Sequence, residues 1–167
     1  MKKALSFILL ICFLFCLFSC QEKMKNVSYC EFGLSLPSYL EEYDSGGSFD
    51  LALKSEDLVV GIVRLSFEAA IDDGIPSTLS PLKFASLYRD LIEREEISTE
   101  PVQGGDVVYF TYTSDENGSE LVYMPTFFKS FYAYFVVMFI GVNTDEESHV
   151  ERCLDYGRTD YLEYTKN

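Results

Sequence analysis

Tryptophan is missing from this chain of 167 residues, and histidine occurs once. Sites that cleave glycosides with paired carboxylates usually lie in tryptophan-lined clefts, so the first absence counts against that chemistry. His149 sits in an acidic stretch without a placed Cys or Ser partner and reads as a surface residue rather than a general base. No Cys-x-x-Cys pair occurs, which with a single His leaves no zinc site; no metal and no cofactor are expected. There is no Gly-x-Ser-x-Gly elbow. Gly46-Gly47 and Gly104-Gly105 lack the spacing and lysine of a phosphate-binding loop and read as loop hinges. Basic residues are also scarce, 13 Lys and Arg against 27 Asp and Glu. Such a field repels phosphate backbones, so nucleic acid is excluded as a partner. No repeat or low-complexity tract interrupts the chain.

The one long apolar run lies at the start. Met1-Lys2-Lys3 is cationic and Ala4 to Phe18 is almost wholly apolar. That run is shorter than the roughly 20 residues needed to span a bilayer, and it reads as an export signal. It ends in Leu17-Phe18-Ser19-Cys20, which resembles the lipobox of bacterial lipoproteins. The resemblance implies that residues 1–19 are removed, that the Cys20 thiol receives diacylglycerol and that the new amino group is acylated, for example with palmitate. Two or more chains give a stable anchor. The expected location is the cell membrane or the outer membrane, facing the periplasm or the exterior. Gln21 in place of Asp after the lipidated Cys resembles the outer-membrane-sorted kind.

Removing residues 1–19 leaves 148 of the 167 residues, enough for a single domain with its own core. Lys2 and Lys3 leave with the signal, so 11 basic residues face 27 acidic ones and the mature charge is −16. Cys12 and Cys16 leave as well and Cys20 carries lipid. Cys30 and Cys153 remain, either as a disulfide, which an exported protein permits, or as two separately buried thiols. Residues 20–28 read as the lipidated Cys and a polar tether, and residues 29–165 as one globular domain.

Within that domain Tyr29 to Leu36 alternates and predicts a strand closed by Pro37. Phe49, Leu51 and Leu53 predict a second. Leu58 to Phe67, apolar on both faces, predicts a third that is covered on both sides. Ala69 to Ser77 reads as a loop. Thr78 or Ser80 caps a helix with Pro81 in its first turn, turning Leu82, Ala85, Tyr88 and Ile92 inward. Asn117-Gly118 between two β-rich runs, Asp106 to Thr113 and Ser119 to Phe128, predicts a hairpin. Phe131 to Val142 predicts a central strand. A last helix starts from a Thr144 cap, with Val150, Leu154, Gly157 and Tyr161 inward and Cys153 beside them. The order β-β-β-α-β-β-β-α predicts an α+β domain, a mostly antiparallel sheet of about six strands flanked by two main helices.

The opening Phe32-Gly33-Leu34-Ser35-Leu36-Pro37 and this element order resemble the PsbP-like fold. That fold is shared by extrinsic photosystem proteins, the Ran-binding Mog protein and DcrB-type bacterial lipoproteins. The resemblance implies a non-catalytic assembly or binding factor and carries no catalytic residues with it. The expected function is therefore a lipid-anchored, non-enzymatic binding or assembly module with a protein partner. Two alternatives remain open. One is an envelope hydrolase using dispersed carboxylates. The other is a carrier of a small ligand or of Ca²⁺ on clusters such as Asp72-Asp73, Asp115-Glu116 or Asp145-Glu146-Glu147. Tyr109, Tyr112, Tyr123, Tyr132 and Tyr134 crowd the last three strands and form the candidate binding surface, because Tyr offers contact area and a polar tip at low entropic cost.

Overall fold

A computed structural model describes residues 22–92, 100–104, 107–116 and 118–156. Cys20, the tail from Gly157 to Asn167 and the expected inward Gly157 and Tyr161 lie outside the described residues. The class is α+β. Strands β1 (Met24–Tyr29) and β2 (Phe32–Pro37) form a separate antiparallel hairpin. The main sheet joins β3 (Glu41–Glu42), β4 (Leu51–Lys54), β5 (Leu58–Ser66), β6 (Val102–Gly104), β7 (Val107–Tyr109), β8 (Tyr112–Glu116), β9 (Ser119–Lys129) and β10 (Ala133–Val142). Its order is β3-β4-β5-β10-β9-β7-β6, with β8 also on β9, and every pairing is antiparallel. The sheet thus has eight strands rather than about six.

β10 is central because both of its faces are apolar, and side chains alternate across a strand. Ala133, Phe135, Val137 and Phe139 face a core shared with the β1–β2 hairpin and helix α3 (Glu146–Tyr156). Tyr134 and Val136 face a second core under helices α1 (Phe67–Asp72) and α2 (Pro81–Leu91). Helices therefore cover both sides of the sheet. Among the described residues no helix is long and apolar enough to cross a membrane.

The hairpin predicted around Asn117-Gly118 forms, with Asn117 itself outside the described residues. Glu116 pairs with Ser119, Gly118 has φ +81°, and its N–H donates to Asp115 at 3.1 Å. The expected strand through residue 113 is instead broken at Phe110–Thr111, although the register is continuous: Tyr109 faces Thr126 and Tyr112 faces Tyr123. Phe110 falls opposite Pro125, which has no N–H to give, and the ladder lapses there.

Four other expectations change. Met24–Val27, read as tether, belongs to β1, and the turn of the hairpin falls at Cys30–Glu31, with Cys30 at φ +52°. The charge of Lys25 hid the alternation, yet Lys25 lies on the inward side with Val27 and Tyr29 and its ammonium donates to the Leu40 carbonyl. The stretch read as a loop from Ala69 begins inside α1, which Ser66 caps by accepting from Ala69 N at 3.2 Å. In α2, capped by Ser80, the buried residues are Phe84 and Ala85, whereas Leu82 is 40% exposed. α3 is capped by Asp145, which accepts from Ser148 N at 2.9 Å, and not by Thr144.

Gly141 is where β10 lets α3 approach. A Cβ there would fall 2.5 Å from His149 Nδ1 and 2.5 Å from Thr144 Cγ2. β10 is fixed on both edges, so the helix would have to give. Gly141→Ala is expected to lower unfolding stability by about 1–3 kcal/mol, as overpacking does, read from the urea midpoint.

A carboxylate-rimmed groove beside the sheet edge

The five tyrosines do not share a surface. Tyr134 is wholly buried and its hydroxyl donates to the Pro76 carbonyl at 2.7 Å. Tyr112 is buried and stacks on half-buried Tyr123 at 4.7 Å, on the α1–α2 side of the sheet. Tyr109 packs toward the opposite core, and Tyr132 stands 65% exposed in the turn before β10. The aromatic-rich strands spend most of their rings on the two cores.

The cysteines are separate. Cys30 is exposed in the β1–β2 turn, Cys153 is buried, and neither is bonded. Cys153 Sγ lies 3.7 Å from both ring nitrogens of His149, which is 2% exposed and not a surface residue. His149 Nε2 is 3.4 Å from the Phe139 carbonyl. Donating there would leave Nδ1 to accept from the thiol. This is no nucleophilic pair: burial pushes the Cys153 thiol up to about 12 and keeps it protonated. The i, i+4, i+7 spacing of His149, Cys153 and Tyr156 marks the inner face of α3.

Burial also lowers the His149 pKa, with Arg152 adding to the effect and the Phe139 carbonyl opposing it. Below the ordinary value of 6.5 the unfolded chain takes up a proton that the folded chain still refuses. Stability from this group is therefore present above 6.5 and lost as pH falls toward the lowered folded value. The difference in Tm between wild type and His149→Leu is expected to shrink or reverse from about pH 7 to 5. A difference that stays flat would sink this assignment.

Ser80 and Lys83 have the Ser-x-x-Lys spacing of some acyl enzymes. Here Ser80 Oγ caps α2, accepting from Lys83 N at 3.3 Å. Among the described residues no three His, Cys, Asp or Glu side chains gather to hold a metal ion.

What the fold does assemble is an open groove of about 840 Å³ between the β6–β7 edge and the exposed side of α3. Val102, Tyr109, Val150 and Leu154 line it with apolar surface, and Val102 is 47% exposed. Glu100, Glu146, Glu147 and Glu151 ring it. Thr111, in the gap between β7 and β8, donates to Glu146 Oε1 at 2.6 Å and fixes that carboxylate. Glu100 is paired with Arg89 Nη1 at 2.5 Å. Among the described residues no lysine or arginine pairs with Glu146, Glu147 or Glu151. Sequence reading names only Glu146 and Glu147 of these acids, with Asp145, as one cluster for a Ca²⁺ carrier. Glu147 and Glu151 sit four residues apart on one helix face, which is a legible signal, but Glu100 joins them only through the fold.

No protein-family model matches the chain, and no curated protein matches it.

Proposed function

We propose that this chain is a lipid-anchored, non-enzymatic module of a cell envelope that binds a basic, partly apolar segment of a partner protein in the groove beside α3. The groove itself carries the reading. Apolar floor and carboxylate rim are complementary to a segment that places Leu, Ile or Val beside Lys or Arg, whose aliphatic stems pack while their charges meet the rim. The charge balance of the whole chain, 13 basic against 27 acidic residues, draws such a segment in. Anchoring rests on Leu17-Phe18-Ser19-Cys20. The PsbP-like resemblance enters the proposal on the same side, as a fold whose members assemble or bind rather than catalyse.

Affinity selection from a random peptide library on the acylated chain tests the binding. Enrichment of segments mixing Lys or Arg with aliphatic residues supports it, and enrichment of acidic segments, or of none, sinks it. Anchoring has its own readout: Cys20→Ser should lose incorporation of a palmitate analogue and leave the membrane fraction.

A further inference from the structure

The chain is held from Glu22 onward, two residues past Cys20. Glu22 accepts from the Tyr156 hydroxyl at 2.6 Å and pairs with Arg152 at 3.7 Å. Arg152 also binds Asp57 at 2.8 Å and donates to Tyr156 at 2.8 Å and to the Tyr39 hydroxyl. The next residue is held too, since Ser38 N donates to the Lys23 carbonyl at 2.7 Å, and β1 starts at Met24. Burial works against the Arg152 charge, but its partners more than compensate and raise its pKa.

This cluster lies at one end of the molecule. Asp57 O accepts from Val142 N at 3.0 Å, which puts it at the finish of β10. At the start of β10 sit the Cys30–Glu31 turn, tied by Ser130 Oγ to Glu31 at 3.0 Å, and Phe131, 92% exposed. The ten residues of β10 separate the two ends by about 30 Å. Two residues of chain reach at most ~7 Å.

We infer that the protein stands on the bilayer by its Arg152 end without a spacer: Glu22 is locked to Arg152 and Tyr156, so the Tyr39–Asp57 end meets the lipid headgroups and the Cys30–Phe131 end points away. This rests on the reading of Cys20 as acylated. The occupant follows from the hold on Glu22 and from the two-residue reach to the anchor. The proximal end suits a headgroup layer: Tyr39 is 43% exposed and Met24 42%, and an amphipathic ring is favoured at a membrane interface.

The lack of tryptophan supplies the test without background. Full-length chain, acylated in its host, is placed in phosphatidylcholine vesicles that carry a dansyl-headgroup lipid. Energy transfer from Met24→Trp should exceed that from Phe131→Trp several-fold, both at exposed positions. Equal or reversed transfer overturns the inference. A Gly/Ser insert of about ten residues between Gln21 and Glu22 should bring the two values together. An unchanged difference would show that the clamp does not set the orientation, and overturns it as well. Cys20→Ser must leave the vesicles; if it stays, or if mass spectrometry finds no acyl chains on the wild type, the anchoring reading fails and this inference with it. Equal transfer on an acylated chain defeats the inference alone.

Discussion

Phe135→Ala is expected to lower the stability of the folded chain by about 3–5 kcal/mol, the range for removing a fully buried ring. Phe135 is wholly buried in the central strand and stacks on Phe32 at 4.8 Å, and Phe32 meets Phe128 at 5.0 Å. β10 is held by β5 and β9 on either side and cannot collapse into the space left behind. Among the described residues the β1–β2 hairpin makes no ladder with the main sheet, so packing seats it: Phe32, Leu34 and Leu36 against the sheet core. Loss of the stack should therefore speed amide exchange in β1 and β2 more than in β9. A fall in Tm of about 10–20 °C is the expected size. Phe131→Ala, at a 92% exposed ring, is the contrast and should change stability by no more than about 0.5 kcal/mol. Equal effects from the two would mean that the core is not built as described.

The fold was legible where one physical signal dominated. Val and Ile on both faces of Leu58–Ser66 and the unbroken apolar run of β10 could only be interior strands, and Asn117-Gly118 could only be a tight turn. It was illegible where two signals competed. Lys25 made β1 look like solvent-facing chain, because the carbonyl that satisfies its ammonium belongs to Leu40, outside the strand. Asp72-Asp73-Gly74 announced a loop and concealed α1, which ends there: the Asp73 and Gly74 amides close the helix on Ala69 and Ile71. His149 looked exposed among acids, and only the approach of α3 over Gly141 buries it. The candidate site was the least legible part. Tyrosine content pointed to a surface, yet Tyr112 and Tyr134 are core residues, while the groove draws its rim from Glu100 and from α3 across a sheet edge that no local pattern specifies.

Charge reversal in that groove is the second large effect. The double variant Glu147→Lys and Glu151→Lys should weaken binding of a Lys/Leu-rich peptide at least tenfold, from about 1.4 kcal/mol or more. Each reversal replaces an attraction by a repulsion, and one exposed pair alone is worth about 0.2–1 kcal/mol. Binding by the wild type should weaken with added salt more steeply than binding by the variant, because screening removes local attraction in one and local repulsion in the other, on top of the long-range attraction both retain. Glu147 also sits in the first turn of α3, where a lysine opposes the helix dipole by about 0.3–1 kcal/mol, so some loss of stability is expected as well. The matched control separates the two effects. Glu68→Lys with Asp72→Lys alters net charge by the same amount on exposed positions of another helix, including its first turn, on the opposite face of the sheet. If long-range charge alone draws the peptide in, both doubles weaken it equally. If the groove holds it, only the α3 double does, and the apolar floor predicts that Val102→Asp, at the 47% exposed edge residue, restores none of it. Loss of affinity in both doubles to the same extent would remove the groove from the argument and leave only a charged body.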